Sequence, residues 1–356
     1  MAEKKPAKKP LIERAVARVK TLFVIADDRY VQWRRGEHVE LCKALLKEIE
    51  GLPGGKALLK SAARSKVKIS VVRPRQIKNS AGRFSRAKGK PNVYIANTGD
   101  RSRMATTLWH ELRHVQQHID RGDIRTGGVS RLFDTRRQHV ISLMIEADAF
   151  TAQAMVALTQ KEKGNPEYFN AFMSRDTNAV VAIKRFLQEN PFEKAIDKKE
   201  FARALFTDIM LDGLDGYSGK YMEAYYKIFK EKKTLEDFRK AIGKKKVPPE
   251  FHVSTALTDM YGQDYAAGTS VKALSTAFMR AQQPDVRGTL GLVEKTVQNV
   301  NSMTPGEYAK ARREIMKRTK SLKKAFNKKA VKQPPETREA LKRAARQDRP
   351  PSFGAG

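Results

Sequence analysis

Two of the six histidines in this chain, His110 and His114, flank a glutamate in the segment His110-Glu-Leu-Arg-His114. On a helix, residues four apart lie on one face, one turn above each other. Two imidazoles placed in this way can reach the same zinc ion at about 2.0–2.1 Å, and Glu111 can act as general base toward an activated water. The H-E-x-x-H spacing therefore predicts a catalytic zinc site.

The motif lies in a segment that is predicted to be helical from about Ser102 to Arg121. At about 100° per residue the apolar side chains of this segment form one stripe, with His110 and His114 roughly opposite. We expect the stripe to be buried and the histidines to face a cleft. The stripe consists of Met104, Leu108, Leu112, Val115 and Ile119.

A third histidine, His118, lies on the same predicted helix. It stands about 12 Å beyond His110 on a continuous helix, whereas two nitrogens on one zinc ion can be at most about 4 Å apart. No glycine lies between His114 and His118 to turn the chain back. We therefore expect His118 at the rim of the cleft or on the surface.

The next predicted helix supplies the candidates for a third ligand, because its segment Val140–Leu158 is apolar nearly all round and contains only two acids, Glu146 and Asp148. A buried carboxylate is costly unless it is paired or binds a metal. The alternative to a metal is an ion pair with Arg136 or Arg137. Glu146 is the favoured ligand, because two histidines and a glutamate form a catalytic zinc set, and Asp148 is expected in a supporting contact or a salt bridge.

The segment His110-Glu-Leu-Arg-His114, followed after a loop by Glu146-Ala-Asp-Ala149, resembles the gluzincin metallopeptidases. It is most similar to small bacterial metallopeptidase domains in which an E-A-D-A segment follows H-E-x-x-H. The resemblance covers about residues 40–160. It implies a Zn²⁺ cofactor, an activated water that attacks a peptide carbonyl, and Glu111 as the group that relays the proton to the leaving amine.

The sequence departs from the gluzincin pattern at Arg113, which places a charge between the two histidines. No residue is singled out as the group that stabilises the oxyanion. Five residues could do so by type, each with a structural role as the alternative: His139, Tyr217, Tyr221, Tyr225 and Tyr226.

The hydrophobic pattern predicts an α+β fold that is predominantly helical, with a small β-sheet beside the H-E-x-x-H helix and the second ligand-bearing helix. Val67, Ile69 and Val71 alternate with polar residues as in a strand, and Val93–Ala96 is predicted as a second, edge strand with a loop at Lys78–Pro91 between them. The helix-breaking glycine and proline residues and the charge pattern divide the chain into five predicted regions. They are a disordered basic tail (1–10), an N-terminal helical region (11–65), a metallopeptidase-like core (66–165), a helical region (166–303) and a basic helix with a disordered tail (304–356).

The net charge of +32 is high for an enzyme of small neutral substrates and indicates an anionic partner or an acidic substrate, with a solvated basic surface that has no specific partner as the alternative. Lys and Arg recur from Lys310 to Lys332, so the alternative function is a basic, nucleic-acid-associated helical protein with a structural or degenerate metal site. The single cysteine, Cys42, excludes a cysteine-based zinc site. No apolar run is long enough for a membrane span and no signal peptide is recognised, so a cytoplasmic protein acting on peptides or proteins is expected.

Overall fold

The computed structural model describes residues 35–78, 80–87, 90–119, 132, 135–175, 177–243 and 284–328. The chain divides into two compact units, the first formed by Met1–Gly122 with Gln153–Ser174 and the second by Asp123–Ala152 with Arg175–Gly356. The described part is predominantly helical and contains one three-stranded sheet, so the predicted α+β class is confirmed. The predicted tails at residues 1–10 and beyond Lys328 lie outside the described residues.

The first described elements of the first unit are two helices, separated by the short segment Leu52-Pro-Gly54. Helix α1 is Arg35–Gly51 and helix α2 is Gly55–Arg64. Leu45 and Ile49 of α1 are fully buried, whereas Val39 and Leu41 of the same helix are partly buried.

The sheet contains strands β1 (Lys68–Val72), β2 (Gly82–Ala87) and β3 (Lys90–Ala96) in the order β1-β3-β2. Strand β3 pairs parallel with β1 and antiparallel with β2. Ile69 and Val71 are buried as their alternation predicted, and Val93 and Ile95 are buried on β3.

Two predictions about the sheet were wrong. The second predicted strand, Val93–Ala96, is part of a longer strand and lies in the centre of the sheet, and the predicted loop 78–91 contains the edge strand β2. The segment Gly82–Ala87 lacks apolar alternation because an edge strand with partly exposed side chains is held by backbone pairing to its neighbour. Periodicity of side chains cannot reveal such a strand.

Helix α3 (Arg101–Ile119) carries the histidine motif. The expectation that α3 buries only its apolar stripe was wrong, because every residue from Met104 to Arg113 is buried. Helix α3 packs against strands β2 and β3 and against helices α1, α2 and α5 (Glu167–Met173). His110 and Glu111 are therefore only 7% and 8% exposed.

Helix α4 is Thr135–Glu162, and its residues up to Ala152 belong to the second unit while those from Gln153 belong to the first. Its apolar character was predicted to mark a buried helix, and this is confirmed. The expectation that no segment is long and apolar enough for a membrane span is corrected here, because Gln138–Glu162 meets that test by length and composition, although 89% of its most apolar window is buried within the protein. Gln153 anchors the helix to α3 by donating from Nε2 to the carbonyl of Thr106 at 2.7 Å.

The second unit is helical throughout its described residues after α4. Its later helices share a hydrophobic core that includes Tyr225, Phe229, Leu290 and Tyr308. Thr234 and Thr304 each cap the start of the helix that follows, because their hydroxyls accept hydrogen bonds from the backbone N–H groups of Asp237 and Glu307. The helices are α6 (Asn178–Glu189), α7 (Lys198–Asp208), α8 (Asp215–Glu231), α9 (Leu235–Gly243), α10 (Pro284–Gln298) and α11 (Pro305–Lys328).

Candidate metal centre

The two histidines of the motif approach each other through the nitrogens that would bind a metal. Nε2 of His110 and Nε2 of His114 lie 3.1 Å apart, and the two rings are nearly perpendicular with their centroids 4.7 Å apart. Two nitrogens bound to one tetrahedral zinc ion at about 2.0–2.1 Å are separated by roughly 3.3 Å. The one-turn spacing on α3 therefore gives the separation that a shared zinc ion requires.

Glu146 on α4 joins the two histidines. The candidate ligand atoms of His110, His114 and Glu146 all lie within 4.8 Å of one another, and this is the group found among the described residues that could hold a metal ion. Asp148 does not belong to it, although it is fully buried on the same helix. The favoured assignment of Glu146 over Asp148 agrees with this geometry, because residues two apart on a helix point in divergent directions.

Arg136 is not the ion-pair partner that was considered for Glu146 or Asp148. Arg136 instead contacts Glu294 of α10, with Nε 3.1 Å from Oε2 and its backbone N–H donating to Oε1 at 3.2 Å. The side chain of Arg137, the other candidate, lies outside the described residues, as does that of His118. The structure therefore brings Glu146 to the histidines and Arg136 to a different acid.

Gln117 supports His114 and was missed by the sequence analysis. Its side chain is 3% exposed, and its Oε1 lies 2.8 Å from Nδ1 of His114. An amide oxygen can only accept, so Nδ1 carries the proton in this hydrogen bond and the lone pair of Nε2 is directed toward the other ligands. The signal was present as a polar residue three positions after a predicted ligand on the same helix, where side chains are neighbours.

Glu111 lies against the backbone of the edge strand at Gly82, a second residue that the sequence analysis missed. A Cβ atom added at Gly82 would lie 2.8 Å from both Cγ and Oε1 of Glu111, and 2.6 Å from Cγ2 of Thr107. Glycine is the residue type that permits this close approach. Strand β2 thus passes directly beside the predicted general base.

Arg113, the charged residue inside the motif, is 4% exposed and turns away into the protein. Its Nη1 donates to Oε1 of Gln116 at 2.6 Å. The guanidinium therefore has a partner within α3 in a partly buried hydrogen bond.

Among the aromatic residues considered for the oxyanion, Tyr221 of α8 lies beside the ligand glutamate. Its hydroxyl donates to the carbonyl of Ser142 at 3.1 Å and lies 3.4 Å from Oε1 of Glu146. His139 is fully buried and packs edge to face on Tyr221. Tyr225 donates to the carbonyl of Thr135, which is a structural role, and the side chain of Tyr217 is outside the described residues.

The donor set at this centre fits a zinc ion. Two neutral imidazole nitrogens and one carboxylate are a ligand combination of catalytic zinc sites, which leave a fourth position for water or substrate. One imidazole is held in the required tautomer by Gln117. Cys42, the only thiol, is buried on α1 and donates to the carbonyl of Ile69, so it belongs to the core.

Comparison with known families agrees with this assignment. Residues 30–207, half of the chain, match the model of a family described as "Putative metallopeptidase family (DUF6782)". The chain therefore belongs to this family, whose description implies a metal cofactor and a peptide or protein substrate. The matched region includes both helices that carry the candidate ligands. Neither the curated proteins nor the solved structures include a match to this chain.

Proposed function

We propose that this protein is a zinc-dependent peptidase of the gluzincin type, with His110, His114 and Glu146 as metal ligands and Glu111 as general base. The observation that carries the proposal is the convergence of three ligand atoms within 4.8 Å of one another, on the helix that also carries Glu111 and on its neighbour. Family membership favours this function over a nucleic-acid-associated protein with a degenerate site.

A zinc ion held by these three residues would act as a Lewis acid that lowers the pKa of water to about 7 and polarises a carbonyl oxygen. Glu111 would accept a proton from the attacking water as the oxygen–carbon bond forms, and would return a proton to the leaving amine as the carbon–nitrogen bond breaks. Its low exposure of 8% keeps bulk water from competing for that proton.

The immediate neighbours would hold the reacting groups in place. Gln117 would keep the lone pair of His114 Nε2 available, and the backbone at Gly82 would confine the carboxylate of Glu111 to one side. Tyr221 is positioned to hydrogen-bond Oε1 of Glu146. All three contacts restrict the rotamers of residues whose function depends on orientation.

Metal analysis combined with two substitutions tests the proposal. The purified protein should contain one equivalent of zinc and should cleave an unfolded, fluorescently labelled casein; a chelator should stop the cleavage and added zinc should restore it. Glu111→Gln should keep its zinc and lose at least about 10²-fold in turnover, because it removes the proton acceptor. Glu146→Gln should lose zinc affinity as well as turnover.

A matched control is Glu189→Gln, an exposed acid at the end of α6, which should change neither property. A protein without stoichiometric zinc would overturn the metal assignment. Full casein cleavage by the Glu111→Gln variant would overturn the assigned general base.

A further inference from the structure

Helix α11 has one face that is committed to the core of the second unit. Tyr308, Ile315 and Leu322 are buried in the hydrophobic cluster described above, and the hydroxyl of Tyr308 donates to the carbonyl of Lys232 at 2.7 Å. At the start of the helix, Thr304 and Glu307 form a reciprocal cap through side-chain and backbone hydrogen bonds. The orientation of α11 on this unit is therefore fixed.

Three basic residues of α11 have roles inside the fold. Nε of Arg312 donates to the carbonyl of Phe229 at 2.6 Å and so satisfies a backbone acceptor near the end of α8. Arg318 pairs with Glu314 one turn before it, with 2.7 Å between Nε and Oε1. Lys323 pairs with Glu223 of α8 at 3.1 Å.

The remaining basic side chains described on α11 are all exposed and lie on one face, opposite the core. They recur in steps of three and four residues, which at about 100° per residue confines them to an arc of about 80°. At about 1.5 Å per residue the row extends over about 21 Å. This row, called the basic stripe below, consists of Lys310, Arg313, Lys317, Lys320 and Lys324.

The two acids described on α11 neutralise little of the stripe, because Glu307 accepts hydrogen bonds from Thr304, and Glu314 pairs with Arg318 and interacts more weakly with Lys317 alone among the five cations. A row of cations over 21 Å on a helix that cannot rotate costs repulsion within the folded protein. The spacing suits a linear polyanion with regularly placed charges. We propose that the basic stripe binds the phosphate backbone of nucleic acid, independently of the base sequence and of the proposed peptidase activity.

The apolar residues of α11 argue against the other polyanionic surface, an anionic membrane. A helix that lies on a bilayer inserts an apolar face beside its basic one. In α11 the apolar face, with Ile315 and Leu322 at 0% and 4% exposure, is already buried in the protein. A phosphate backbone requires only the charged side chains.

The salt dependence of binding tests this assignment on the full chain. A fluorescent 20-base-pair DNA duplex serves as probe, and its affinity is measured by anisotropy between about 50 and 200 mM salt. In the stripe variant all five residues of the basic stripe are replaced by glutamine, which retains good helix propensity. The control variant replaces five exposed basic residues of the first unit, again four lysines and one arginine, by glutamine: Lys47, Lys56, Lys60, Arg64 and Lys163.

The stripe variant should lose about 4.5 units from the slope of log K against log salt, since each phosphate contact contributes about 0.9. The control variant has the same net charge and should keep a slope close to that of the unmodified protein. A double variant, Lys317→Gln with Lys320→Gln, perturbs the helix less and should lose about 1.8 units.

Equal slopes in the stripe and control variants would overturn the proposal, because binding would then follow the overall charge alone. Absence of duplex binding by the unmodified protein would overturn it as well. So would stripe-dependent binding to phosphatidylserine vesicles in place of the duplex. Zinc content and casein cleavage should be unchanged in the stripe variant, so the outcome is separate from that of the peptidase proposal.

Discussion

Nδ1 of His114 lies 2.8 Å from Oε1 of Gln117, one helical turn further along α3. Since the amide oxygen can only accept, this contact selects the tautomer of His114 that leaves Nε2 free of a proton. The same helix therefore supplies both candidate histidine ligands, the candidate base and a group that prepares one ligand for a metal.

Replacing Gln117 by leucine should weaken zinc binding by about 10–100-fold, because a group that orients a ligand imidazole is lost. Glutamate at this position keeps an acceptor and should retain most of the affinity. Competition with a chromophoric chelator measures the affinity, and ¹⁵N NMR of the metal-free protein reports the tautomer of His114. An unchanged tautomer in Gln117→Leu would assign Gln117 to packing alone.

Most residues of the candidate metal centre could be predicted from the sequence, because they lie on helices, in which side chains recur on one face at a fixed spacing. His110, Glu111 and His114 follow from a one-turn spacing; the acids of the apolar helix narrow the third ligand to Glu146 or Asp148, and the known set of two histidines and a glutamate favours Glu146. Gln117 lies within reach of the same argument, since it is three residues from a ligand.

The contact of Gly82 with Glu111 could not be predicted from the sequence. Its role depends on an edge strand whose side chains carry no apolar alternation, and on the approach of that strand to α3, which is a tertiary contact. The burial of α3 on nearly all sides was missed for the same reason, because helical phase describes one helix and contains no information about how many neighbours pack on it.

Alanine at Gly82 should reduce peptidase turnover by about 10²-fold, because a displacement of about 1 Å in a catalytic group can have that effect. The added Cβ would lie 2.8 Å from Oε1 of Glu111, so the carboxylate must move. Zinc content should be unchanged, since the three atoms nearest to the added Cβ belong to Thr107 and Glu111, which are not proposed ligands. Gly51→Ala, where no atom lies within 4 Å of the added Cβ, is the control. Normal turnover in Gly82→Ala would show that Glu111 tolerates the shift.

Phenylalanine at Tyr221 should weaken zinc binding by about fivefold, equivalent to about 1 kcal/mol for a hydrogen bond to a carboxylate that is shared with another acceptor. The hydroxyl lies 3.1 Å from the carbonyl of Ser142 and 3.4 Å from Oε1 of Glu146, so its hydrogen bond to Glu146 is the weaker of the two. The effect should therefore be smaller than that of Gln117→Leu. Tyr226→Phe on the same helix is the control, and a larger loss of turnover than of affinity would point instead to a contact with substrate.

Cys42 should report how metal binding stabilises the first unit. Its thiol is 3% exposed and contacts the carbonyl of Ile69, and burial raises the pKa of Cys42 to about 12. The thiol is therefore protonated at pH 8, and alkylation requires α1 to separate from β1, which exposes the sulfur and returns its pKa to the ordinary range.

Because α1 also packs on α3, zinc bound by His110 and His114 should oppose that opening. At zinc concentrations about 100 times Kd, iodoacetamide labelling should slow by about 100-fold, which corresponds to about 2.7 kcal/mol. The Glu146→Gln variant should show much less protection at the same zinc concentration, whereas identical labelling rates with and without zinc in the unmodified protein would mean that α1 opens independently of the metal centre.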